Sequence, residues 1–149
     1  MIRGLRFKLL NKFDFFINKI LDGINKDNYV WRISEDQVFL EKGDFLFDLD
    51  IYSGQKFNEI ISQSPYYTAA LNLQVFPCGT NFQQINNYCD FLNSNCELVV
   101  LMCDTIYVDI YSKSMNIIEI IRLNAQNNNF QEIEYITDEN DRIKEFECM

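Results

Sequence analysis

Histidine is absent from this chain of 149 residues. Its absence excludes Ser-His-Asp and Cys-His nucleophilic catalysis, because both need an imidazole as the general base. It also excludes the HExxH zinc proteases and most catalytic zinc sites, whose ligands include histidine. Any catalysis would therefore depend on carboxylates, lysine, tyrosine or a metal held by oxygen atoms. No motif indicates a cofactor, and we expect none.

Long hydrophobic runs are also absent. The longest run, from Leu98 to Cys103, has six residues, whereas a membrane-spanning helix needs about 20. The N-terminal sequence is interrupted by charges and lacks the apolar core of a signal peptide. The five cysteines are an odd number and include no CxxC pair, which is typical neither of a disulfide framework nor of a zinc site. We therefore expect a cytoplasmic protein with idle, reduced thiols.

Basic residues are few and unevenly distributed. The net charge is −9; residues 1–32 carry seven basic and three acidic side chains, and the remaining residues carry six basic and nineteen acidic ones. A protein that binds nucleic acid without regard to sequence must neutralise phosphates with lysine and arginine. The acidic balance therefore argues against DNA, RNA and anionic membranes as partners. Solubility is the ordinary explanation of such a charge, and a basic protein is the class of partner that it would fit. The sequence leaves the oligomeric state open.

The remaining composition is that of a folded domain. Hydrophobic residues make up 48% and aromatic residues 15% of the sequence, which is enough for one buried core in a chain of this length. No linker or low-complexity segment divides the chain. We therefore predict a single domain over residues 1–149.

The stretch from Cys96 to Asp141 determines the predicted fold class. An unbroken apolar run is typical of a strand buried on both faces, alternation predicts a half-buried strand, and a 3.6-residue period predicts a helix. The predicted elements are a strand at Leu98–Cys103, a strand at Thr105–Tyr111, a helix from about Ser114 to Ala125 and a strand at Phe130–Thr137.

The same patterns predict a mixture of strands and helices upstream. These elements are a strand at Arg3–Leu9, a helix capped by Asn11 and extending to Ile24, a hairpin of Tyr29–Ser34 and Gln37–Glu41 around Glu35-Asp36, a strand at Phe45–Tyr52, a short helix capped by Ser53, a strand at Tyr67–Val75, and a helix capped by Thr80 and Gln83.

The order of elements from Tyr66 to Thr137 is β-α-β-β-α-β, the split βαβ order of ferredoxin-like sheets. We therefore predict an α+β domain with a mostly antiparallel sheet and with helices packed on one face. The first half has a similar order but no residue-level repeat, which leaves open whether the halves arose by duplication.

The segment FLFDLD contains the one catalytic candidate. It resembles the first motif of haloacid-dehalogenase-type phosphatases, in which a strand presents a nucleophilic aspartate and, two residues later, an acid/base aspartate. Those positions are Asp48 and Asp50, with Lys113 and the Asp138/Asp141 pair as candidates for later motifs. The competing interpretation is an ordinary amphipathic strand whose alternation turns both carboxylates to solvent.

Acidic residues cluster after the last predicted strand. Asp138, Glu139 and Asp141 are the candidate binding residues, and four glutamates lie nearby in sequence, namely Glu132, Glu134, Glu145 and Glu147. Such a run is usually a solvated tail. A basic protein or a divalent ion is the alternative, although no metal site is predicted.

The opening RGLRFKLLNKFDFF and the segment YITDENDR resemble a family of small bacterial proteins known only as a domain of unknown function. That family has an RG-x-x-F start before a short amphipathic helix, matched here by Arg3, Gly4, Phe7 and Asn11. Its Tyr-Ile-Thr-Asp-Glu-Asn-Asp-like segment after the last strand is matched by Tyr135 to Asp141. The resemblance implies a cytosolic bacterial protein and carries over no activity.

Two functional hypotheses follow from these observations. The first is a non-catalytic binding protein of the bacterial cytosol, comparable to immunity or inhibitor proteins, whose acidic region binds a basic partner. The alternative is a magnesium-dependent phosphohydrolase that uses Asp48 and Asp50. Salt-sensitive association would support the first, and phosphatase activity abolished by Asp48→Asn would support the second.

Overall fold

One seven-stranded sheet organises the fold. The computed structural model describes residues 1–10, 12–103 and 106–147. The strands are β1 (Ile2–Lys8), β2 (Tyr29–Leu40), β3 (Ile51–Ser53), β4 (Tyr66–Pro77), β5 (Leu98–Met102), β6 (Tyr107–Ser112) and β7 (Gln131–Thr137). The helices are α1 (Phe16–Ile20), α2 (Gly54–Gln63), α3 (Tyr88–Leu92) and α4 (Met115–Asn127), with one 3-10 turn at Lys26–Asn28.

Neighbouring strands are antiparallel throughout, and their order is β3-β2-β4-β5-β6-β1-β7. The predicted α+β class with an antiparallel sheet is confirmed. The N-terminal strand β1 lies between β6 and β7, and Arg6 pairs with Asp109 on one side and with Glu134 on the other. This insertion joins the two ends of the chain within one sheet.

The predicted order of elements from β4 to β7 is confirmed, but the strand order in the sheet is not that of a ferredoxin-like fold. β4 and β5 are direct antiparallel neighbours, although a βαβ unit connects parallel strands. By contrast, β6 and β7 form a split unit, since both run antiparallel to β1 between them. The inserted strand comes from the other end of the chain.

Helices α1, α2 and α4 lie on one face of the sheet and enclose the larger core. Trp31 of β2 stacks on Phe57 of α2 with 4.4 Å between ring centroids. The prediction of helices on one face holds for these three. The short α3 packs on the opposite face, where Phe91 joins Tyr111 and Phe146 in a second, smaller core.

Strand β5 separates the two cores, and all five of its residues are buried. Leu98, Val100 and Met102 belong to the larger core, whereas Val99 and Leu101 belong to the smaller one. The burial on both faces predicted from the continuous apolar run is thereby confirmed.

The predicted cap at Ser53 is confirmed, and the structure shows a second cap of the same kind at Ser114. The Ser53 hydroxyl accepts a hydrogen bond from the Lys56 N–H at 3.2 Å, at the start of α2. The Ser114 hydroxyl does the same for the Ile117 N–H at 3.2 Å, at the start of α4. Each bond satisfies one of the N–H groups that the first turn of a helix leaves without a partner.

The predicted hairpin around Glu35-Asp36 is wrong. β2 continues through these residues and pairs with β4 along its whole length. The register of β2 against β4 shifts between Ile33 and Glu35, as it does at a β-bulge. The long partner strand supplies the hydrogen bonds that we expected a local hairpin to provide.

The helix predicted to start at Thr80 begins later, at Tyr88, so its predicted start and cap are wrong. The Thr80 hydroxyl donates to the Pro77 carbonyl at 2.8 Å, and the Gln83 side chain accepts from the Asn95 N–H at 2.9 Å. Neither side chain therefore caps a helix, and the chain is irregular until Asn87 caps the short α3.

The first helix is shorter than predicted. α1 covers Phe16–Ile20 alone, and its predicted cap, Asn11, lies outside the described residues. Asp14, which lies in the first turn of the predicted helix, instead forms a bridge with Tyr66 of β4. Among residues 1–10, 12–103 and 106–147, no helix is both long enough and apolar enough to cross a membrane.

Candidate functional site

Asp48 and Asp50 lie on a loop that precedes β3, not on the predicted strand Phe45–Tyr52, which is wrong over most of its length. The Tyr52 hydroxyl organises this loop. It accepts hydrogen bonds from the N–H groups of Asp48 and Leu49 at 2.8 and 2.7 Å and donates to the Asp48 carboxylate at 2.7 Å.

This hydrogen bonding explains the electrostatics of the loop. The bond from Tyr52 is the main cause that lowers the pKa of the Asp48 carboxyl. Burial and the same bond raise the pKa of the Tyr52 phenol to about 12. Both aspartate side chains are exposed, and within the described ranges no three His, Cys, Asp or Glu residues converge as a metal site would require.

Asp138 and Asp141 form ion pairs within the protein. Arg3 Nε lies 2.9 Å from the Asp138 carboxylate, and Arg3 Nη1 lies 3.1 Å from the Asp141 carboxylate. The Asp141 side chain is only 1% exposed and also accepts a hydrogen bond from the Tyr111 hydroxyl at 2.9 Å. The Arg3 guanidinium stacks 4.2 Å above the ring of Tyr88.

This network limits what the predicted acidic cluster can do. The hydrogen bond from Arg3 is the main cause that lowers the pKa of the Asp138 carboxyl, so Asp138 stays charged next to its partner. Asp141 joins the last segment of the chain to the sheet rather than facing solvent. Of the three predicted binding residues, Glu139 alone is exposed without an ion pair among the described residues, and its binding role stays a prediction.

A cavity lies beside this network, on the face of the sheet opposite α1, α2 and α4. It is an open groove of about 750 Å³, which we call the acidic groove. Strands β1, β6 and β7 form its floor, and the segment after β7 forms a wall. Its lining residues are Arg6, Cys103, Tyr107, Asp109, Glu132, Ile133, Glu134, Ile143, Lys144, Glu145 and Glu147.

The floor of the acidic groove contains an internal ion pair. Arg6 Nε hydrogen-bonds the Asp109 carboxylate, and Arg6 Nη1 lies 3.8 Å from the Glu134 carboxylate. Burial lowers the pKa of Arg6, but the hydrogen bond and charge of Asp109 outweigh it, and the net effect raises the pKa. Arg6 is therefore cationic and already paired, so the groove keeps a net negative charge.

Glu132 reaches the groove from an irregular point of β7. Its φ of 53° lies in the left-handed region, which is uncommon for residues other than glycine. The pairing of β7 with β1 shifts register there, between Arg6 and Lys8, as expected for a β-bulge that redirects a side chain. The Glu132 carboxylate accepts from the Tyr107 hydroxyl at 3.4 Å and lies 3.9 Å from Lys8 Nζ.

Cys103 lies on the groove wall, with its sulfur 3.9 Å from the carbonyl oxygen of Glu147. It is disulfide-bonded, so the expectation of five reduced thiols is wrong at this position. Cys78, Cys89 and Cys96 are free thiols, and burial raises the pKa of the Cys96 thiol to about 11. A protonated, buried thiol of this kind is chemically inert.

The sequence pointed to four of the five carboxylates that line the groove. Glu132, Glu134, Glu145 and Glu147 belonged to the predicted acidic run, whereas Asp109 was expected only on the polar side of a strand. The alternation of β6 was the available signal. Only the insertion of β1 between β6 and β7 shows that both sets of carboxylates share one surface.

The matches to known proteins cover almost the whole chain. Residues 2–147 match the model of the family described as "Protein of unknown function (DUF2691)". The chain belongs to this family. It is also 38% identical over 146 residues to "Uncharacterized protein YncE" of Bacillus subtilis (strain 168), covering 95% of each chain. No solved structure matches.

Membership of this family confirms the resemblance seen in the opening and closing segments of the sequence. The Bacillus relative is consistent with a bacterial protein. Neither match assigns an activity.

Proposed function

We propose that this protein is a non-catalytic, cytoplasmic protein-binding module that receives a basic segment of a partner in the acidic groove, comparable to an immunity or inhibitor protein. One observation carries the proposal: five carboxylates and two basic side chains line the acidic groove, and one of those basic side chains, Arg6, is already paired.

The exposure of the groove carboxylates favours recognition of a positively charged surface. Glu132 and Glu134 are 61% and 56% exposed, and Glu145 and Glu147 are exposed beside them. Negative charges around a concavity create a strong negative potential there. This potential speeds the association with a positively charged partner. Because exposed charges are screened beyond about 8 Å at physiological ionic strength, such binding depends strongly on salt.

The first experiment captures partners from a lysate of the host bacterium on three immobilised proteins. These are the unchanged protein, a groove variant with Glu132→Gln, Glu134→Gln and Glu145→Gln, and a control variant with Glu41→Gln, Asp44→Asn and Glu59→Gln. The control residues are exposed and lie outside the groove. Both variants lose the same charge, so only the position of the charge differs.

We expect a basic protein to bind the unchanged protein and the control at low salt and to be lost from the groove variant. Raising the salt should release it. Equal capture by the groove variant would contradict the proposal, and so would an association that salt does not weaken.

No structural observation favours the alternative phosphohydrolase. Asp48 is engaged by Tyr52 in the loop before β3, and Asp50 lies exposed at the end of that loop, with its carbonyl accepting a hydrogen bond from the Ile33 N–H at 2.7 Å. We therefore propose no catalytic role for these residues.

A further inference from the structure

Strand β7 forms one edge of the sheet. It pairs with β1 on one side, and within residues 1–10, 12–103 and 106–147 no strand lies beyond it. An edge strand presents unpaired N–H and C=O groups that can pair with another chain. The other edge differs, because its strand, β3, has only three residues.

The backbone hydrogen bonds show which groups of β7 point outward. The N–H of Asp138, directly after the strand, donates to the Met1 carbonyl on the side of β1. Since successive residues of a strand point to alternate sides, the N–H and C=O groups of Thr137 and Tyr135 point away from β1.

The side chain of Asn140 already binds two of these outward groups. The Thr137 N–H donates to Asn140 Oδ1 at 2.7 Å, and Asn140 Nδ2 donates to the Tyr135 carbonyl at 2.9 Å. A peptide group of a neighbouring strand would make the same pair of bonds, one accepted and one donated. The carboxamide therefore takes the place of the first residue of an additional strand.

The side chains beside this edge differ between the two faces of the sheet. Glu132 and Glu134 place their carboxylates in the acidic groove. Ile133 also borders the groove, but it packs with Tyr135 against the larger core. An incoming strand would therefore meet carboxylates on one face and apolar surface on the other. Alternating basic and apolar residues complement this pattern.

We infer that an extended segment of the basic partner adds to β7 as a further strand, continuing from the Asn140 carboxamide along Tyr135 and placing Lys or Arg side chains opposite Glu132 and Glu134. The inference rests on the proposed function and specifies how the partner is held. A second copy of this chain fits less well, because antiparallel pairing of β7 with itself would bring these glutamates near their own copies.

The test uses a synthetic peptide of about ten residues in which lysine and valine alternate, labelled for fluorescence anisotropy. Two further peptides carry N-methyl groups, one on every valine and one on every lysine. The three peptides have the same charge. Each methylated peptide loses the N–H groups of one edge only, because alternate residues of an extended chain point to opposite edges.

Strand addition predicts unequal binding of the two methylated peptides. The peptide whose methyl groups lie on the edge that faces β7 should bind about tenfold more weakly, because it loses its hydrogen bonds to that strand. The unmethylated peptide should also slow hydrogen exchange of the Tyr135 amide, measured by NMR. The matched control is the amide of Lys56, which the Ser53 cap already holds.

The possible outcomes separate this inference from the proposed function. Equal, salt-sensitive binding of all three peptides, without protection of the Tyr135 amide, would overturn strand addition and leave groove binding intact. Equal binding of the unmethylated peptide to the groove variant and to the control variant would overturn groove binding, and strand addition with it.

Discussion

The carboxylate of Asp141, 1% exposed, accepts a hydrogen bond from the Tyr111 hydroxyl at 2.9 Å. Burial and the negative charge of Asp141 raise the pKa of the Tyr111 phenol, so it remains a donor throughout the physiological range. The same carboxylate accepts from the Ile143 N–H at 3.1 Å. This residue therefore ties β6 to the segment that forms a wall of the acidic groove.

Asp141→Asn should destabilise the fold by about 2 kcal/mol at neutral pH. The amide leaves Arg3 without one of its two carboxylates, and breaking a fully buried ion pair costs about 3 to 5 kcal/mol. The expected loss is smaller because Arg3 is 25% exposed and keeps Asp138. Urea denaturation measures it.

The matched control for that experiment is Asp138→Asn. It removes a charge from the same arginine, but its side chain is 48% exposed, so the loss of stability should be clearly smaller. Equal losses for the two variants would show that burial of Asp141 does not matter.

Gly4→Ala should destabilise the fold by about 1 to 3 kcal/mol or more, which is the typical cost of overpacking. A Cβ atom at this position would overlap the carbonyl oxygen of Ile110, because β1 and β6 approach closely there. Backbone atoms paired in a sheet cannot move aside as a flexible side chain would. Thermal unfolding of the variant measures the effect.

Gln63→Ala is the control for the glycine variant. Gln63 is an exposed residue near the end of α2, and alanine favours a helix, so the unfolding temperature should hardly change. A Gly4→Ala variant as stable as this control would disprove the close approach of the two strands.

Asp36→Asn should stabilise the fold at neutral pH by an amount on the order of 1 kcal/mol. Asp36 Oδ2 is buried, and no atom of the described residues hydrogen-bonds to it. Burial raises the pKa of this carboxyl despite a hydrogen bond from the Val38 backbone, and the nearby charge of Asp50 adds to the effect. The amide removes a charge that the site does not compensate.

The gain from Asp36→Asn should depend on pH in one direction. Because the folded state binds the proton more tightly than the unfolded state, wild-type stability falls as the pH rises from about 4 through the raised pKa. The amide does not titrate, so its advantage should grow over the same range. Asp44→Asn, on the exposed turn nearby, is the control. A pH-independent gain from Asp36→Asn would contradict the mechanism.

Tyr52→Phe should destabilise the fold by about 1 to 2 kcal/mol, because the N–H groups of Asp48 and Leu49 lose their common acceptor. Asp48→Asn should cost less, since an amide oxygen can still accept from the phenol. Equilibrium unfolding of both variants compares the two effects.

The same Asp48→Asn variant tests the phosphohydrolase alternative. We expect no magnesium-dependent hydrolysis of p-nitrophenyl phosphate by the unchanged protein. Hydrolysis that disappears in the variant would restore the catalytic interpretation of Asp48 and Asp50.

The predictions from sequence were wrong where a local pattern is compatible with more than one structure. Glu35-Asp36 has the composition of a turn, but β4 is long enough to pair with β2 on both sides of it. Thr80 and Gln83 have the spacing of a capping box, yet each side chain bonds elsewhere. In both cases nonlocal contacts outweighed a local preference worth about 1 kcal/mol.

Local sequence patterns predicted the α+β class, a strand from Leu98 that is buried on both faces and the cap at Ser53, because each depends on side chains a few residues apart. The position of β1 between β6 and β7 is visible in the folded structure alone. It groups the carboxylates of the acidic groove and leaves β7 at the edge with Asn140 beside it. An alternating strand has the same pattern whichever strand lies beside it. Its neighbours depend on pairing between distant parts of the chain, which local periodicity does not encode.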